Sequence, residues 1–192
     1  MRCWIVIPIK APPACKTRLS PALGDSERQS LVAAMLRQTV SAAQAVAGRE
    51  RVLLLGPFRH GLAEDTPLLA DPGRGLNVAL ASARDAAIGQ DVERLILLSA
   101  DLPMIESGDV AALLDVPRDA IALGPDRAGT GTNALSLPLP AAAQFRFRYG
   151  NGSCAAHRAE AAWLGLPFLR LERTGLALDV DRPEDIALWR QS

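Results

Sequence analysis

Short apolar runs alternate along this chain with longer segments in which apolar residues recur every three to four positions. The short runs predict strands at 4–9, 51–55, 94–99, 120–123, 134–137 and 168–171, of which 134–137 is the weakest. The longer spacing predicts helices from Ser26 onward and at 76–88, 110–114, 154–164 and 183–190. The run 95–100, which is apolar except for Ser99, is typical of a strand that is buried on both faces.

This order of elements predicts an α/β fold with a mixed, mostly parallel sheet and helices on both of its faces. Right-handed crossovers bring the loops that follow parallel strands to one edge of the sheet, where ligands of such folds bind. We interpret residues 1–192 as a single domain, because a chain of this length buries one core well. The turn-rich segment 57–75 is a candidate mobile flap.

Two helix starts carry capping patterns. Ser26 and Gln29 have the spacing of a capping box for the first long helix. At the last helix, Asp181 is the predicted N-cap, with Pro183 at the first helical position and Glu184 completing a second box.

Composition limits the classes of partner. The chain has 21 Lys and Arg against 21 Asp and Glu, so bulk charge gives no reason to expect a nucleic acid or a membrane as partner. No apolar run approaches the roughly 20 residues that span a bilayer, and the first apolar run is too short for a signal peptide. We therefore expect a cytoplasmic protein.

The cysteines and histidines argue against a zinc site. Cys3, Cys15 and Cys154 form no CxxC spacing, and only His60 and His157 are available as imidazole ligands. A bound metal would therefore be held by carboxylates, which favours Mg²⁺ or Mn²⁺.

Acidic residues follow two apolar stretches. Asp101 comes directly after the run 95–100, and Asp179 and Asp181 follow a short apolar stretch near the end of the chain. Two residues apart on an extended strand, Asp179 and Asp181 face the same side. We predict that these strand ends converge on one hard cation; the alternative for Asp181 is a simple helix cap.

The loop after the first strand carries three cations, Lys10, Lys16 and Arg18. Lysine and arginine neutralise phosphate oxygens, so this loop suits a triphosphate, although a basic run is also typical of a solvated surface loop. The GxxxxGK[ST] sequence of a P-loop is absent.

Two glycine-rich segments are further candidate anion sites. In 124–133, glycines permit close backbone approach while Thr132 and Asn133 add donors; the alternative is an ordinary turn. Segment 149–153 precedes a helix, and Ser153 there is either part of an anion site or a plain N-cap. His157 lies one helical turn after Cys154, which permits a Cys–His nucleophilic pair, but a histidine lining a pocket is favoured. We assign His60, in a turn, no role.

Several short motifs occur in order along nearly the whole chain. They are Pro8-Ile-Lys10, Lys16-Thr-Arg-Leu19, Gly75-Leu-Asn77, Asp101-Leu-Pro103, Gly129-Thr-Gly-Thr-Asn133, Tyr149-Gly150 with Ser153 and His157, and Leu178-Asp-Val-Asp181. Together they resemble the 2-phospho-L-lactate guanylyltransferase family (CofC/FbiD) of coenzyme F-420 biosynthesis. The resemblance implies a nucleotidyltransferase fold and transfer of GMP from GTP to a phosphorylated three-carbon acid.

The resemblance also implies roles for individual residues. Asp101, Asp179 and Asp181 would hold two Mg²⁺ ions, and Lys10, Lys16 and Arg18 would face the GTP phosphates. Gly75, Leu76 and Asn77 would approach the nucleoside. Thr132, Gly150 and Ser153 would bind the phosphate and carboxylate of the acceptor, with His157 beside them. A homodimer, and a downstream deazaflavin transferase that receives the product, are implied as well.

Family members use 2-phospho-L-lactate, phosphoenolpyruvate or 3-phospho-D-glycerate. We favour 3-phospho-D-glycerate here, because Cys154 and His157 could line a pocket that accepts its hydroxyl. Two alternatives stay open, a molybdopterin or sugar-phosphate nucleotidyltransferase and a non-catalytic nucleotide-binding module. Many sugar nucleotidyltransferases carry Gly-x-Gly-Thr-Arg in the first loop, whereas this chain has Ala11-Pro-Pro-Ala-Cys15.

Overall fold

A computed structural model describes residues 1–10 and 16–189, and its strands form one sheet in the spatial order β3-β2-β1-β4-β6-β5-β7. The strands are β1 (Cys3–Pro8), β2 (Val52–Leu55), β3 (Leu68–Leu69), β4 (Arg94–Leu98), β5 (Ile121–Pro125), β6 (Thr132–Pro138) and β7 (Phe168–Arg170). The helices are α1 (Asp25–Ala47), α2 (Leu76–Ile88), α3 (Ser107–Leu114), α4 (Ser153–Trp163), α5 (Thr174–Ala177) and α6 (Pro183–Trp189). Short 3₁₀ turns cover Thr17–Leu19 and Arg49–Arg51.

The sheet is mixed, as the sequence predicts, and β6 is its antiparallel member. β1 pairs in parallel with β2 and β4, which aligns the carboxyl ends of these three strands. β6 runs against both β4 and β5, with Ala134 opposite Leu98. Because of this reversal, the beginning of β6 lies beside the end of β4, so polar residues at both positions share one edge of the sheet.

Alternating side chains divide the core between the two faces of the sheet. Ile5 and Ile7 of β1 pack with residues of α1 and α3, whereas Val6 packs with residues of α2 and α4. Both faces therefore carry helices, in agreement with the near-continuous apolar strands. No helix in the part of the chain that the structure describes is long and apolar enough to cross a membrane.

A fully buried cation, Arg94, lies in the core at the start of β4. Its guanidinium donates to the carbonyl oxygens of Pro117, Arg118 and Ala120 at 2.8, 3.0 and 3.3 Å and to the Ser136 hydroxyl at 2.9 Å. Burial lowers the pKa of Arg94, although nearby Asp119 opposes this. Arg94 thus ties β4 to the segment that leads into β5.

Three elements differ from the prediction. The strand predicted to be weakest is part of β6, whose seven residues are all buried. The predicted flap 57–75 contains the two-residue strand β3, which extends the sheet beside β2. Helix α5 was not predicted, because four residues are too few to show a helical period.

Both capping predictions are wrong in detail. Helix α1 begins at Asp25, and the Glu27 carboxylate accepts the backbone N–H of Gly24 at 2.9 Å, so the box lies upstream of Ser26. At α6 the cap is the Asp185 carboxylate, which accepts the N–H groups of Asp181 and Arg182 at 3.0 and 2.8 Å. The Asp181 side chain is therefore released from capping. Segment 11–15, including Cys15, and the predicted last helical residue Arg190 lie outside the described residues.

Candidate active site

Three aspartates meet at the carboxyl edge of the sheet. Asp101, just beyond β4, and Asp179 and Asp181, between α5 and α6, each present a carboxylate oxygen within 4.8 Å of the others. Asp101 and Asp179 are distant in the chain, and the fold brings them together. The predicted convergence of the three aspartates is thus observed, but only Asp101 follows a strand; the strand end predicted for Asp179 and Asp181 is wrong, because this segment links α5 to α6.

Val180 explains why Asp179 and Asp181 share one direction. Its side chain is fully buried in a small cluster with Leu19, Met35 and Ile186. Neighbouring side chains of an extended segment point to opposite sides, so burying Val180 turns both flanking carboxylates toward Asp101. The backbone N–H of Val180 also donates to the carbonyl oxygen of Asp101 at 3.3 Å, which attaches the segment to the end of β4.

Asn133 holds the same segment from β6. Its side-chain amide donates to the carbonyl oxygen of Leu176 at 2.9 Å and to a carboxylate oxygen of Asp179 at 3.2 Å. The sequence predicts Asn133 as a donor to a bound anion, whereas the structure turns this buried side chain toward α5 and the aspartates. No local spacing reveals this contact, because Asn133 and Asp179 are distant in the chain.

The predicted phosphate-binding cations surround the acidic cluster. The Lys16 ammonium contacts Asp101 and lies 2.5 Å from Asp181, while an Arg18 guanidinium nitrogen lies 3.7 Å from Asp181. Lys10 is exposed at the same edge, close enough to lower the pKa of Asp181. Lys10, Lys16 and Arg18 therefore share one site with the three aspartates, which carries both signs of charge.

Burial and charge act in opposite directions on these groups. Burial disfavours the charged form of Lys16, but Asp101 and Asp181 outweigh burial and raise its pKa. Burial and the neighbouring Asp101 together raise the pKa of Asp179, despite the hydrogen bond from Asn133. Burial tends to raise the pKa of Asp181 as well, but Lys16 and Arg18 lower it overall. The negative charge at Asp179 is thus the least compensated, and a cation bound there would be stabilised.

A cavity of about 530 Å³ opens beside the cluster. Its lining includes Lys10, Lys16, Asp101 and Asp181 at one end and His60, Asp71, Gly73, Gly75 and Leu76 elsewhere. A volume of this size is typical of small-molecule sites. His60, to which the sequence assigned no role, lines the cavity, and its Nε2 has no hydrogen-bond partner among the described residues.

Gly75 and Leu76, the residues predicted to approach the nucleoside, line the cavity, and Gly75 has a positive φ of 93° that favours glycine. Asn77 makes a different contact. Its side chain accepts the N–H of Tyr149 at 2.8 Å and donates to the carbonyl oxygen of Tyr149 at 3.2 Å. Both polar atoms of Asn77 are therefore engaged with the backbone just before Gly150, so Asn77 joins the cavity to the predicted acceptor segment.

We predict that Asn77→Ala raises the KM for the acceptor by about 10-fold and changes the KM for GTP much less, since the lost hydrogen bonds hold Tyr149 rather than a nucleotide. Steady-state kinetics with each substrate varied in turn would measure this. Gln90→Ala, at the exposed end of α2, is the matched control. A selective rise in the KM for GTP would show instead that Asn77 binds the nucleotide.

Two hydroxyls and a histidine form a buried group where β6 begins. The hydroxyl oxygens of Thr132 and Ser153 lie 3.0 Å apart, and Nδ1 of His157 lies 3.1 Å from Oγ1 of Thr132. Nε2 of His157 accepts the backbone N–H of Arg148 at 3.0 Å. Burial lowers the pKa of His157 to about 4, so its ring is neutral near pH 7, although Glu160 acts in the opposite direction.

The arrangement excludes direct roles for two candidates. His157 has no exposed surface, and both of its ring nitrogens are engaged, so it contacts neither a ligand nor the Cys154 thiol as a catalytic base. The Cys154 sulfur instead lies 3.6 Å from the Arg170 guanidinium. The nucleophilic pair, which the sequence already disfavoured, is therefore not formed, and His157 does not line an open pocket as the sequence predicted.

Gly150 and Gly152 complete this region. Both have positive φ, 137° and 72°, and no atom would obstruct a β-carbon at either position, so their backbone borders open space. The N–H of Ser153 donates to Gly150 and that of Cys154 to Thr130, which leaves these two amides unavailable to an anion. An acceptor bound here would therefore depend on side-chain hydroxyls and on the glycine backbone.

Comparison with solved structures defines the class of the fold. A structure described as a putative nucleotide-diphospho-sugar transferase, from Desulfovibrio desulfuricans G20, superposes with a TM-score of 0.81 and 18% identity over 98% of this chain and 87% of that one. A 2-C-methyl-D-erythritol 4-phosphate cytidylyltransferase from Thermus thermophilus superposes with a TM-score of 0.63 and 17% identity. The match covers 98% of this chain and 96% of that one. The chain has the nucleotidyltransferase fold.

Sequence comparison then identifies the family. The family described as guanylyl transferase CofC like matches residues 3–188, and the chain belongs to it. A phosphoenolpyruvate guanylyltransferase of Sphaerobacter thermophilus is 37% identical over 94% of this chain and 89% of its own length. One of Rubrobacter xylanophilus is 39% identical over 97% of this chain and 93% of its own length. A 3-phospho-D-glycerate guanylyltransferase of Phenylobacterium zucineum is 36% identical over 94% of this chain and 86% of its own.

Proposed function

We propose that this protein transfers GMP from GTP to the phosphate of a phosphorylated three-carbon acid and releases pyrophosphate. The observation that carries the proposal is the meeting of three aspartates, three cations and a nucleotide-sized cavity at one sheet edge, in a chain of the CofC family. The family membership also argues against the two alternatives, a molybdopterin or sugar-phosphate enzyme and a non-catalytic binding module.

The donor set fits a divalent metal. Three carboxylate oxygens converge, and burial, together with the charge of Asp101, raises the pKa of Asp179. We propose that Asp101, Asp179 and Asp181 hold Mg²⁺, for which hard oxygen ligands are preferred over the nitrogen and sulfur ligands of zinc. Bound there, the metal would supply neutralisation of phosphate charge.

The proposed reaction forms one bond and breaks another. An oxygen of the acceptor's phosphate bonds to the α-phosphorus of GTP, and the bond from that phosphorus to the bridging oxygen of the β-phosphate breaks, so pyrophosphate leaves with the electron pair. A phosphate is already ionised near neutral pH, so no general base is required. Lys10, Lys16 and Arg18 would neutralise the departing pyrophosphate, and Thr132, Ser153 and Gly150 would hold the acceptor.

The acceptor within this class is a separate question. Relatives named for phosphoenolpyruvate and for 3-phospho-D-glycerate are 36–39% identical to this chain, so identity does not separate them. The preference for 3-phospho-D-glycerate drew on Cys154 and His157, and His157 is buried with both ring nitrogens engaged, which weakens that argument. The proposal therefore concerns the shared chemistry, a phosphate and a carboxylate on a three-carbon acid.

An acceptor screen tests the function. The protein would be incubated with GTP, Mg²⁺ and, in parallel, 2-phospho-L-lactate, phosphoenolpyruvate or 3-phospho-D-glycerate. We expect pyrophosphate release with at least one acid and a product whose mass equals that of the acid plus GMP less water. ATP in place of GTP is the matched control and should release much less pyrophosphate. Failure of all three acids to give a guanylylated product would contradict the proposal.

A further inference from the structure

The tautomer of His157 follows from its hydrogen bonds. Nε2 accepts the backbone N–H of Arg148, and because an amide N–H only donates, Nε2 carries no proton. The proton of the neutral ring is therefore on Nδ1. Two contacts hold the Arg148 segment in place: the Arg148 side chain bonds Glu160 of α4 at 3.4 Å, and Asn77 binds the backbone of the next residue, Tyr149.

This tautomer determines what the two hydroxyls present to a ligand. Nδ1–H of His157 donates to Oγ1 of Thr132, so it takes none of the hydroxyl hydrogens. Thr132 and Ser153 together carry two hydroxyl hydrogens, and their mutual bond at 3.0 Å uses one. Whichever of the two donates in that bond, one hydroxyl hydrogen is left without an acceptor among these three side chains. Both residues are nearly buried, but Ser153 follows Gly152, whose backbone borders open space.

In the opposite tautomer of His157, the Thr132–Ser153 pair would have no hydroxyl hydrogen left for a ligand. With Nδ1 unprotonated, His157 would accept one hydroxyl hydrogen and the Thr132–Ser153 bond would use the other. The pair would then face a ligand with oxygen lone pairs alone, which repel the phosphate and carboxylate of an anionic acceptor. The buried histidine thus decides whether this pair is a donor or an acceptor.

We propose that His157 is a positioning residue that makes the Thr132–Ser153 pair a hydrogen-bond donor to the anionic acceptor. The inference rests on the proposed function, because it takes the acceptor to bind at these hydroxyls. It gives His157 an indirect role in place of the pocket-lining position that the sequence favoured, and it links acceptor binding to the backbone of Arg148.

Two amide variants of His157 separate its role as a donor to Thr132 from its role in holding the backbone of Arg148. In His157→Asn the side-chain nitrogen can occupy the place of Nδ1 and donate to Thr132. In His157→Gln the side-chain oxygen can reach the place of Nε2 and accept from Arg148, but no donor stands where Nδ1 was. We expect His157→Gln to raise the KM for the acceptor by about 10- to 100-fold with little change in the KM for GTP, as for a hydrogen bond to a charged group. By the same reasoning, His157→Asn should stay within about 5-fold of wild type.

Equal losses in the two variants, or no loss in His157→Gln, would overturn the inference, as would a change confined to the KM for GTP. Inactive wild-type protein would contradict the proposed function instead, so the two failures are distinguishable. Circular dichroism would check that both variants are folded.

A second measurement needs no variant of His157. The chain has only two histidines, so ¹⁵N-histidine labelling gives ring signals from two residues, and His60→Gln identifies those from His60. NMR of the wild-type protein should show Nδ1 of His157 protonated and Nε2 unprotonated at pH 7. The reverse pattern, or a doubly protonated ring, would refute the proposed donor role.

Discussion

Replacing Asp101 by asparagine is expected to lower turnover by at least about 100-fold while the protein stays folded. Asparagine has the shape of aspartate but no charge, so the change removes one of the three converging carboxylates without creating a cavity. Asp101 is partly exposed, and Lys16 keeps its contact with Asp181 in the variant. The loss of negative charge should weaken a bound Mg²⁺ and its neutralisation of the GTP phosphates.

Pyrophosphate release at several Mg²⁺ concentrations measures this effect. We expect Asp101→Asn to require more Mg²⁺ for its half-maximal rate as well as to turn over more slowly. Asp115→Asn, an exposed substitution at the end of α3, is the matched control and should behave as wild type. Near-normal turnover by folded Asp101→Asn protein would refute the assignment of Asp101 to the metal.

The largest effect on stability is expected at the opposite end of the same strand, for Arg94→Met. The substitution keeps the volume of the side chain approximately but removes the guanidinium hydrogen bonds to the carbonyl oxygens of Pro117, Arg118 and Ala120. Of these, the Pro117 carbonyl still accepts the Ala120 N–H at 3.0 Å. Each hydrogen bond from a charged group contributes about 1.5–3 kcal/mol, and part of the loss is offset because the cation no longer has to be buried. We expect the free energy of unfolding to fall by about 3 kcal/mol.

Urea denaturation followed by circular dichroism would measure this loss. Arg37→Met, on the exposed side of α1, serves as the control and should change stability by less than about 0.5 kcal/mol. Because Arg94 lies far along β4 from Asp101, the folded fraction of Arg94→Met should retain its turnover per molecule. A stability change as small as that of the control would show that these hydrogen bonds contribute little.

The two predictions assign different roles to the two ends of β4. Arg94 opens the strand with a buried cation that holds the segment before β5, and Asp101 follows its end with a carboxylate at the ligand-binding edge. Changes at the first position should therefore act on stability, and changes at the second on catalysis.

The sequence predicts the sheet well where its strands are apolar along their whole length, as in β4. It ranks β6 lowest, although β6 is the longest strand and is buried throughout, because Ser136, Asn133 and Thr132 interrupt the apolar pattern. Those polar residues are tolerated in the core because each has a partner elsewhere in the chain: Ser136 binds Arg94, Asn133 binds Asp179 and Thr132 binds His157.

The helix caps also depend on partners that are distant in the chain. Asp181 has the sequence position of an N-cap, but Asp185 satisfies the N–H groups at the start of α6. The Asp181 carboxylate instead pairs with Lys16, a residue that is 165 positions away in the chain. A local sequence pattern therefore cannot show whether Asp181 or Asp185 caps α6.

By itself, the sequence determined the α/β class, the placing of Asp101 at a strand end, the cations after β1 and the motifs of a guanylyltransferase family, since all of these depend on residue type and short-range spacing. The tertiary structure alone decided which side chains are open to a ligand and which hold the binding groups in place. Asn77, Asn133 and His157 have the chemistry of ligand-binding residues, but their polar atoms are taken up by Tyr149, Asp179, Thr132 and Arg148. A hydrogen bond depends on distances of about 3 Å and on direction, and only the folded chain sets these between residues that are distant in sequence.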